Sequence, residues 1–275
     1  MKAIITCTVI AVLLHARVNA QSLRYATTDP YLSLGTYSYR QADPFSFSAN
    51  QAALTREKRG AIGIYSERRF LLKETSSFRL AAVFPTALGN LGLKLDYAGF
   101  RDFNEYGIGL AYARGIGRQA DAGIQFNYYG YRIPGYTSAS TINFEAGVIL
   151  HFSNKLQGGI HVYNPVGGKL VRSTNEKLAT AYSIGMGYDA SDNFFAGAEV
   201  IKEEDKPVNV RAGMQYHFAR RFFARAGIIS DSGSAFAGAG VGWDIFRLDI
   251  SVSYHPQLGF SPGILLVMHF KGSGQ

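Results

Sequence analysis

Apolar and polar-or-small residues alternate along this chain from Ala61 almost to its end. In Leu91–Tyr97 the leucines and the tyrosine fall on odd positions, with Gly92, Lys94 and Asp96 between them. In 106–112, Tyr106, Ile108, Leu110 and Tyr112 alternate with Gly107, Gly109 and Ala111. In 246–254, Phe246, Leu248, Ile250, Val252 and Tyr254 alternate with Arg247, Asp249, Ser251 and Ser253. Successive side chains of a strand point to opposite faces, so each segment predicts a strand with one greasy face and one polar or small face. The same pattern marks fourteen segments, near 61–67, 77–84, 90–98, 105–113, 120–131, 141–152, 156–163, 179–188, 193–201, 207–218, 221–229, 234–243, 246–254 and 262–270.

A soluble β-sandwich also alternates. Here, though, many segments exceed the usual sandwich strand, and the face opposite the greasy one is too rich in Gly, Ala and charge to form a second packed layer. Aromatics gather at segment ends (Tyr97, Phe100, Tyr112, Phe152, Tyr188, Phe218, Trp243, Tyr254, Phe270), as interfacial girdles require. The expected fold is all-β, a 14-stranded antiparallel transmembrane β-barrel over 61–270 with a short tail at 271–275. From the third connection onward nearly every odd one reads longer than its even neighbours, which predicts short turns on one side and long loops on the other. The longest, 164–178, is expected outside the cell, and an even strand number puts both termini in the periplasm.

Composition agrees with this. Of 275 residues only 17% are charged and 13% are aromatic, which excludes a disordered chain. The longest mostly apolar run, Ile4–Leu14, is short of the roughly 20 residues a spanning helix needs. Lys2, the apolar stretch 3–14 and the small-residue site Val18-Asn19-Ala20 read as a signal peptide over 1–20. Its removal takes away the single cysteine, Cys7, and two of the formal +8 charges, Lys2 and Arg17. The remaining basic residues are dispersed rather than clustered, and no nucleic-acid partner is expected. The expected compartment is the outer membrane of a Gram-negative envelope.

With the greasy face toward lipid, parity sends Arg79, Lys94, Arg211, Arg225 and Arg247 into the lumen beside Asp96, Asp121, Glu145, Glu199 and Asp249. Five bases and five acids can neutralise one another. Two readings stand: an ionic network bracing a filled barrel, or a polar conduit whose selectivity these charges set. Inner-face glycines (Gly185, Gly187, Gly238, Gly240, Gly242) leave room for a plug or for bending of the wall. No phosphate-binding loop, nucleophile elbow or zinc-protease motif is present. His151, His161, His217 and His269 face inward without metal-ligand spacing. A lipid-directed hydrolase would need a Ser/His pair on the lipid face, where no His lies. No enzyme, metal or cofactor is expected.

Residues 21–60 lack the alternation and read as a periplasmic-side hatch or cap, with a short helix after Asp43-Pro44. The pattern Asp43-x-Phe45-Ser46-x-x-x-Asn50-x-Ala52-x-Leu54, just ahead of the first strand, resembles the N-terminal signature of the FadL/PorV-like outer-membrane proteins of Bacteroidota, with Gln51 where that family usually has Pro. The resemblance implies a small hatch inside fourteen strands and divides over function. PorV-like members are non-enzymatic subunits of a protein-secretion system, with envelope proteins as partners; FadL-like members are channels for passive uptake of hydrophobic or small solutes. The chain is shorter than the fatty-acid transporters and its outer loops offer no apolar capture surface. The expected role is therefore the accessory or scaffold one, with solute uptake as the alternative.

Overall fold

The computed structural model describes residues 30–135, 137–167, 178–204 and 206–270. The expected signal peptide, the first residues after it, most of the longest loop and the 271–275 tail lie outside the described residues. Fourteen antiparallel strands close into a barrel in which β14 pairs back onto β1. They are β1 Ala61–Arg68, β2 Ser76–Thr86, β3 Gly89–Phe100, β4 Phe103–Ile116, β5 Ala120–Ile133, β6 Thr137–His151, β7 Leu156–Tyr163, β8 Ala181–Asp189, β9 Phe194–Glu203, β10 Asn209–His217, β11 Phe222–Ile229, β12 Ser234–Trp243, β13 Phe246–His255 and β14 Gly259–His269. Every expected segment is a strand. A closed ring leaves no edge groups unpaired in lipid, which is why a sheet can cross a bilayer only in this form.

The alternation points as expected. Ile108 and Ile250 are 45% and 64% exposed, whereas Glu145 and Asp249 are 2% and 0% exposed. All nine end-of-segment aromatics are exposed on the outer wall. Tyr97, Phe100 and Tyr254 lie at one rim, and Tyr112, Phe152, Tyr188, Phe218, Trp243 and Phe270 at the rim that carries both ends of the barrel. Several pair with a neighbouring ring, as Phe218 does with Phe222 at 6.1 Å and Tyr254 with Phe260 at 5.0 Å.

Loop lengths differ from the expectation. β3 to β6 run on past their expected ends, so the connections expected at 99–104 and 132–140 shrink to the short gaps between Phe100 and Phe103 and between Ile133 and Thr137. The long–short alternation then rests mainly on 69–75 and 164–180. The strands continue because their pairing continues: Phe100 reaches Phe103, and Ile133 reaches Thr137. Nor does the 164–180 connection lie wholly outside. Leu178 is buried against Ala98 and Tyr129 on the inner wall, with Asn164 Nδ2 donating to its carbonyl at 2.6 Å.

Candidate functional site: the plugged lumen

Residues 30–60 occupy the lumen toward the end that carries both ends of the barrel. A single-turn helix α1 (Pro30–Ser33) leads into 3₁₀ turns at Leu34–Tyr37, Ser46–Ser48 and Gln51–Arg56. The short helix expected after Asp43-Pro44 is thus a pair of tight turns. Asn50 caps the last of them, accepting from the Ala52 N–H at 3.1 Å. Asp43, Asn50, Ala52 and Leu54 of the hatch pattern are all buried, none more than 3% exposed.

Glycine on the inner wall makes the seat. A Cβ at Gly185 or Gly187 would meet Tyr37, one at Gly238 would meet Tyr31, and one at Gly63 or Gly92 would meet Phe45 or Leu54. At Gly147 a Cβ would lie 2.2 Å from Asn50 Oδ1. There Asn50 crosses onto the wall itself, its Nδ2 donating to the carbonyls of Val148 and Ile160 on the paired strands β6 and β7 at 3.3 and 3.2 Å. Gly240 instead sits beneath Phe223, and Gly242 touches no plug residue. We expect Gly185→Val to displace Tyr37 at a cost of about 1–3 kcal/mol, the usual range for overpacking. The check is faster protease cleavage within 30–60 of the folded barrel.

Three polar clusters bind plug to wall. In the first, Asp43 Oδ2 takes Arg225 Nη2 at 3.3 Å and Arg247 Nη2 at 3.1 Å, while Arg247 also bonds Asp249 at 2.9 and 2.7 Å. Tyr31 donates its hydroxyl to Asp249 at 3.1 Å, and Arg225 Nη1 donates to the Tyr31 carbonyl at 3.1 Å. In the second, Glu145 accepts from Gln51, Gln125 and Asn127 at 2.8, 3.2 and 2.6 Å and lies 3.0 Å from His161 Nε2. Gln51, standing where the related pattern has Pro, uses its side chain to tie the hatch to this carboxylate. In the third, Arg56 lies 2.5 Å from Asp121, beside His151. Asp189 fastens the plug separately, accepting from Ser38 Oγ at 2.6 Å and the Tyr39 N–H at 2.8 Å.

The expected lumen residues are placed as follows. Arg225, Arg247 and Asp249 meet at Asp43. Arg79 on β2 stands opposite Asp96 on β3, whose Oδ2 is 3.9 Å from Lys94. Arg211 on β10 stands opposite Glu199 on β9. Asp121 and Glu145 hold the plug. The five-to-five balance does not hold, because Glu67, Glu105 and Asp189 on the wall and Asp43 and Glu57 in the plug are buried acids too, and among the described residues Arg56 joins the bases at Asp121 and Arg69 lies 3.8 Å from Glu67. Glu67, Glu105, Gln125, Asn127 and Asn143 share the inward parity and could have been read from it. The plug's contributions follow no period and could not.

Burial pushes the Glu57 carboxyl up to about 8; the negative charge of Asp43 adds to this and Arg247 opposes it. A carboxyl raised from 4.5 favours the native state fully below that value, and this contribution is lost as pH rises toward 8. Glu57→Gln should therefore gain on the wild type in thermal stability from pH 5 to pH 8. A difference that does not change with pH would contradict this placement.

Above the plug the lumen is hollow. A space lies over Ser48 and Ala49, bordered by Glu145, His161, Glu199 and Arg211. Two smaller spaces adjoin it, one along Ala49, Glu199 and Arg211 and one at Ser48. Among the described residues no group of His, Cys, Asp and Glu could hold a metal ion.

The fold is that of the FadL-type barrels. The chain is similar to the monoaromatic hydrocarbon channel CymD (12% identity, 88% of this chain and 99% of that one, TM-score 0.66). It is similar to the Ralstonia pickettii toluene transporter TbuX (10%, 83% and 94%, 0.63) and to a Pseudomonas aeruginosa FadL homologue (10%, 82% and 93%, 0.58). No family model and no curated protein matches the sequence. At such identities the likeness establishes the fold alone. CymD is described as a channel and TbuX as a transporter, and nothing in the comparisons points to a secretion subunit.

Proposed function

We propose that this chain is a passive uptake channel of the Gram-negative outer membrane, with both termini in the periplasm and the 164–180 connection on the cell surface. The observation that carries the reading is the hollow upper lumen standing over a polar-tethered plug. A solute entering from outside reaches this space and stops at a floor that is joined covalently to the wall where it runs into β1 and is otherwise fastened by hydrogen bonds, ion pairs and packing. The solved channels of the same fold support the reading. They also move weight away from the accessory role expected from the hatch resemblance. In this role the lumen charges Arg79, Lys94, Asp96, Glu199 and Arg211 face the solute, while Asp43, Asn50, Glu145, Asp121, Arg225, Arg247 and Asp249 hold the floor.

Liposome swelling tests it. Reconstituted protein should admit small sugars and amino acids. A plug-to-wall disulfide built as Ser38→Cys with Asp189→Cys, whose side chains touch at 2.6 Å, should block entry until it is reduced. No swelling in the wild type or the reduced variant would sink the proposal.

One observation favours the accessory reading. All fourteen strand pairs are laddered, and the plug fills the lumen beneath the cavity. A stable envelope partner co-purifying in detergent would support it.

A further inference from the structure

The rim that carries both ends of the barrel bears charge of mainly one sign. Arg114 and Arg118 stand at the β4–β5 turn, Lys155 at the β6–β7 turn and Arg220 and Arg221 at the β10–β11 turn. Lys58 and Arg59 stand where the plug runs into β1, and all seven bases are exposed. Among the described residues none of the seven has an acid within ion-pair distance. Lys58 and Lys155 each donate to a neutral carbonyl, of Thr55 and Ala190, both at 3.1 Å. The acids at this end are engaged elsewhere. Asp43, Glu57, Asp121, Asp189 and Asp249 are buried, and Asp192 is ion-paired with Arg40. Asp244 is the exposed acid left without a described base. At the opposite rim the described connections mix signs: Lys73 lies beside Glu74, Arg101 beside Asp102, and Lys206 is 3.2 Å from Glu203.

The basic turns also carry the aromatic girdle. Tyr112 precedes Arg114 by two residues on the same outer face of β4, and Phe152 precedes Lys155. Phe218 and Phe222, stacked at 6.1 Å, bracket Arg220 and Arg221. The Phe270 N–H donates at 2.7 Å to the Gly60 carbonyl, next to Arg59. Aromatic belts mark the depth of the lipid headgroups. At a rise of about 3.3 Å per residue, Arg114 lies about 7 Å beyond Tyr112, at the level of the phosphates. We propose that this rim binds the headgroup phosphates of an anionic glycerophospholipid, with the girdle rings packed on the first methylenes of its chains. Lipid is the occupant because the surface continues the acyl-facing wall, and because the bases are spread around the barrel instead of gathered into one patch for a folded acidic partner. The negative surface potential of anionic lipid attracts each nearby Lys or Arg. The inference rests on the outer-membrane reading for which leaflet this is, and on neither the uptake nor the accessory role.

Trp243, the single tryptophan, reads the site directly. It is 41% exposed on this rim, and Gly242 beside it donates its N–H to the Arg221 carbonyl at 2.8 Å. The full chain is reconstituted in mixed phosphatidylcholine and phosphatidylglycerol vesicles, with quenching bromines on the acyl chains of one lipid at a time. Brominated phosphatidylglycerol should occupy the sites beside Trp243 about fivefold more than an equal fraction of brominated phosphatidylcholine at about 0.1 M salt. Raising salt to about 1 M, which shortens the screening length from about 10 to 3 Å, should remove most of that preference. Arg220→Gln with Arg221→Gln should remove it at low salt, whereas Arg220→Lys with Arg221→Lys should keep it. Arg132→Gln, at the opposite rim, should leave it unchanged. Equal quenching by the two lipids, a preference that survives high salt, or one that survives the double Gln variant would each overturn the proposal. Equal quenching together with binding of soluble polyglutamate would give these bases to an acidic protein instead. Equal quenching with solute entry intact removes the lipid site alone; absent swelling with the lipid preference intact removes the channel alone.

Discussion

Asp43→Ala should cost the folded protein about 3–5 kcal/mol, the range for removing one partner of a buried ion pair. Asp43 is 3% exposed and Arg225 1% exposed. Arg247 has a second carboxylate in Asp249, but Asp43 is the carboxylate paired with Arg225. Without it, the Arg225 guanidinium keeps Gln215 at 2.6 Å, the Tyr31 carbonyl at 3.1 Å and the rings of Tyr31 and Phe223, all of them neutral partners. Its charge stays buried and uncompensated. The companion variant, Asp43→Ala with Arg225→Met, removes both charges and should recover most of the loss, because a buried pair replaced by apolar groups is near neutral. Urea titration of the barrel in lipid, followed by the fluorescence of its single tryptophan, Trp243, reads both variants. A single variant costing under about 1 kcal/mol, or a double variant no better than the single, would show that the plug is not held through this cluster.

Ile250→Arg should cost about 2–4 kcal/mol, the penalty for arginine near the bilayer midplane on the lipid face of a barrel. Ile250 is 64% exposed at the middle of β13, paired with Ala239 and Ile264, both apolar. Exposure of that size on a soluble protein would make the substitution nearly silent, within about 0.5 kcal/mol. The same titration therefore distinguishes a lipid-bathed wall from a water-bathed one. A silent Ile250→Arg would overturn the membrane assignment, however well the strands are placed.

The two predictions divide along the line between local and long-range information. Ile250 and Asp249 were assigned to opposite faces from their neighbours alone, since a period of two is a property of the extended backbone and needs no partner. The same argument reached Lys94, Glu145 and Arg225. It failed at strand ends. Asn104 and Thr137 to Ser140, polar or small like turn residues, and Phe103 beside them fell between the expected segments, yet the ladders of β3 to β6 continue through them.

Fourteen strands, their two faces and the ring of aromatics were thus legible from the chain's own alternation, because each is decided within a few consecutive residues. What fills the bore was decided only in three dimensions. Asp43 meets Arg225 and Arg247 across 182 and 204 residues of sequence. Gln51 finds Glu145 across 94, and the wall glycines have meaning only once Tyr31, Tyr37 and Asn50 lie against them. The plug has no period, so closure of the ring alone determines which of its polar groups meets which part of the wall.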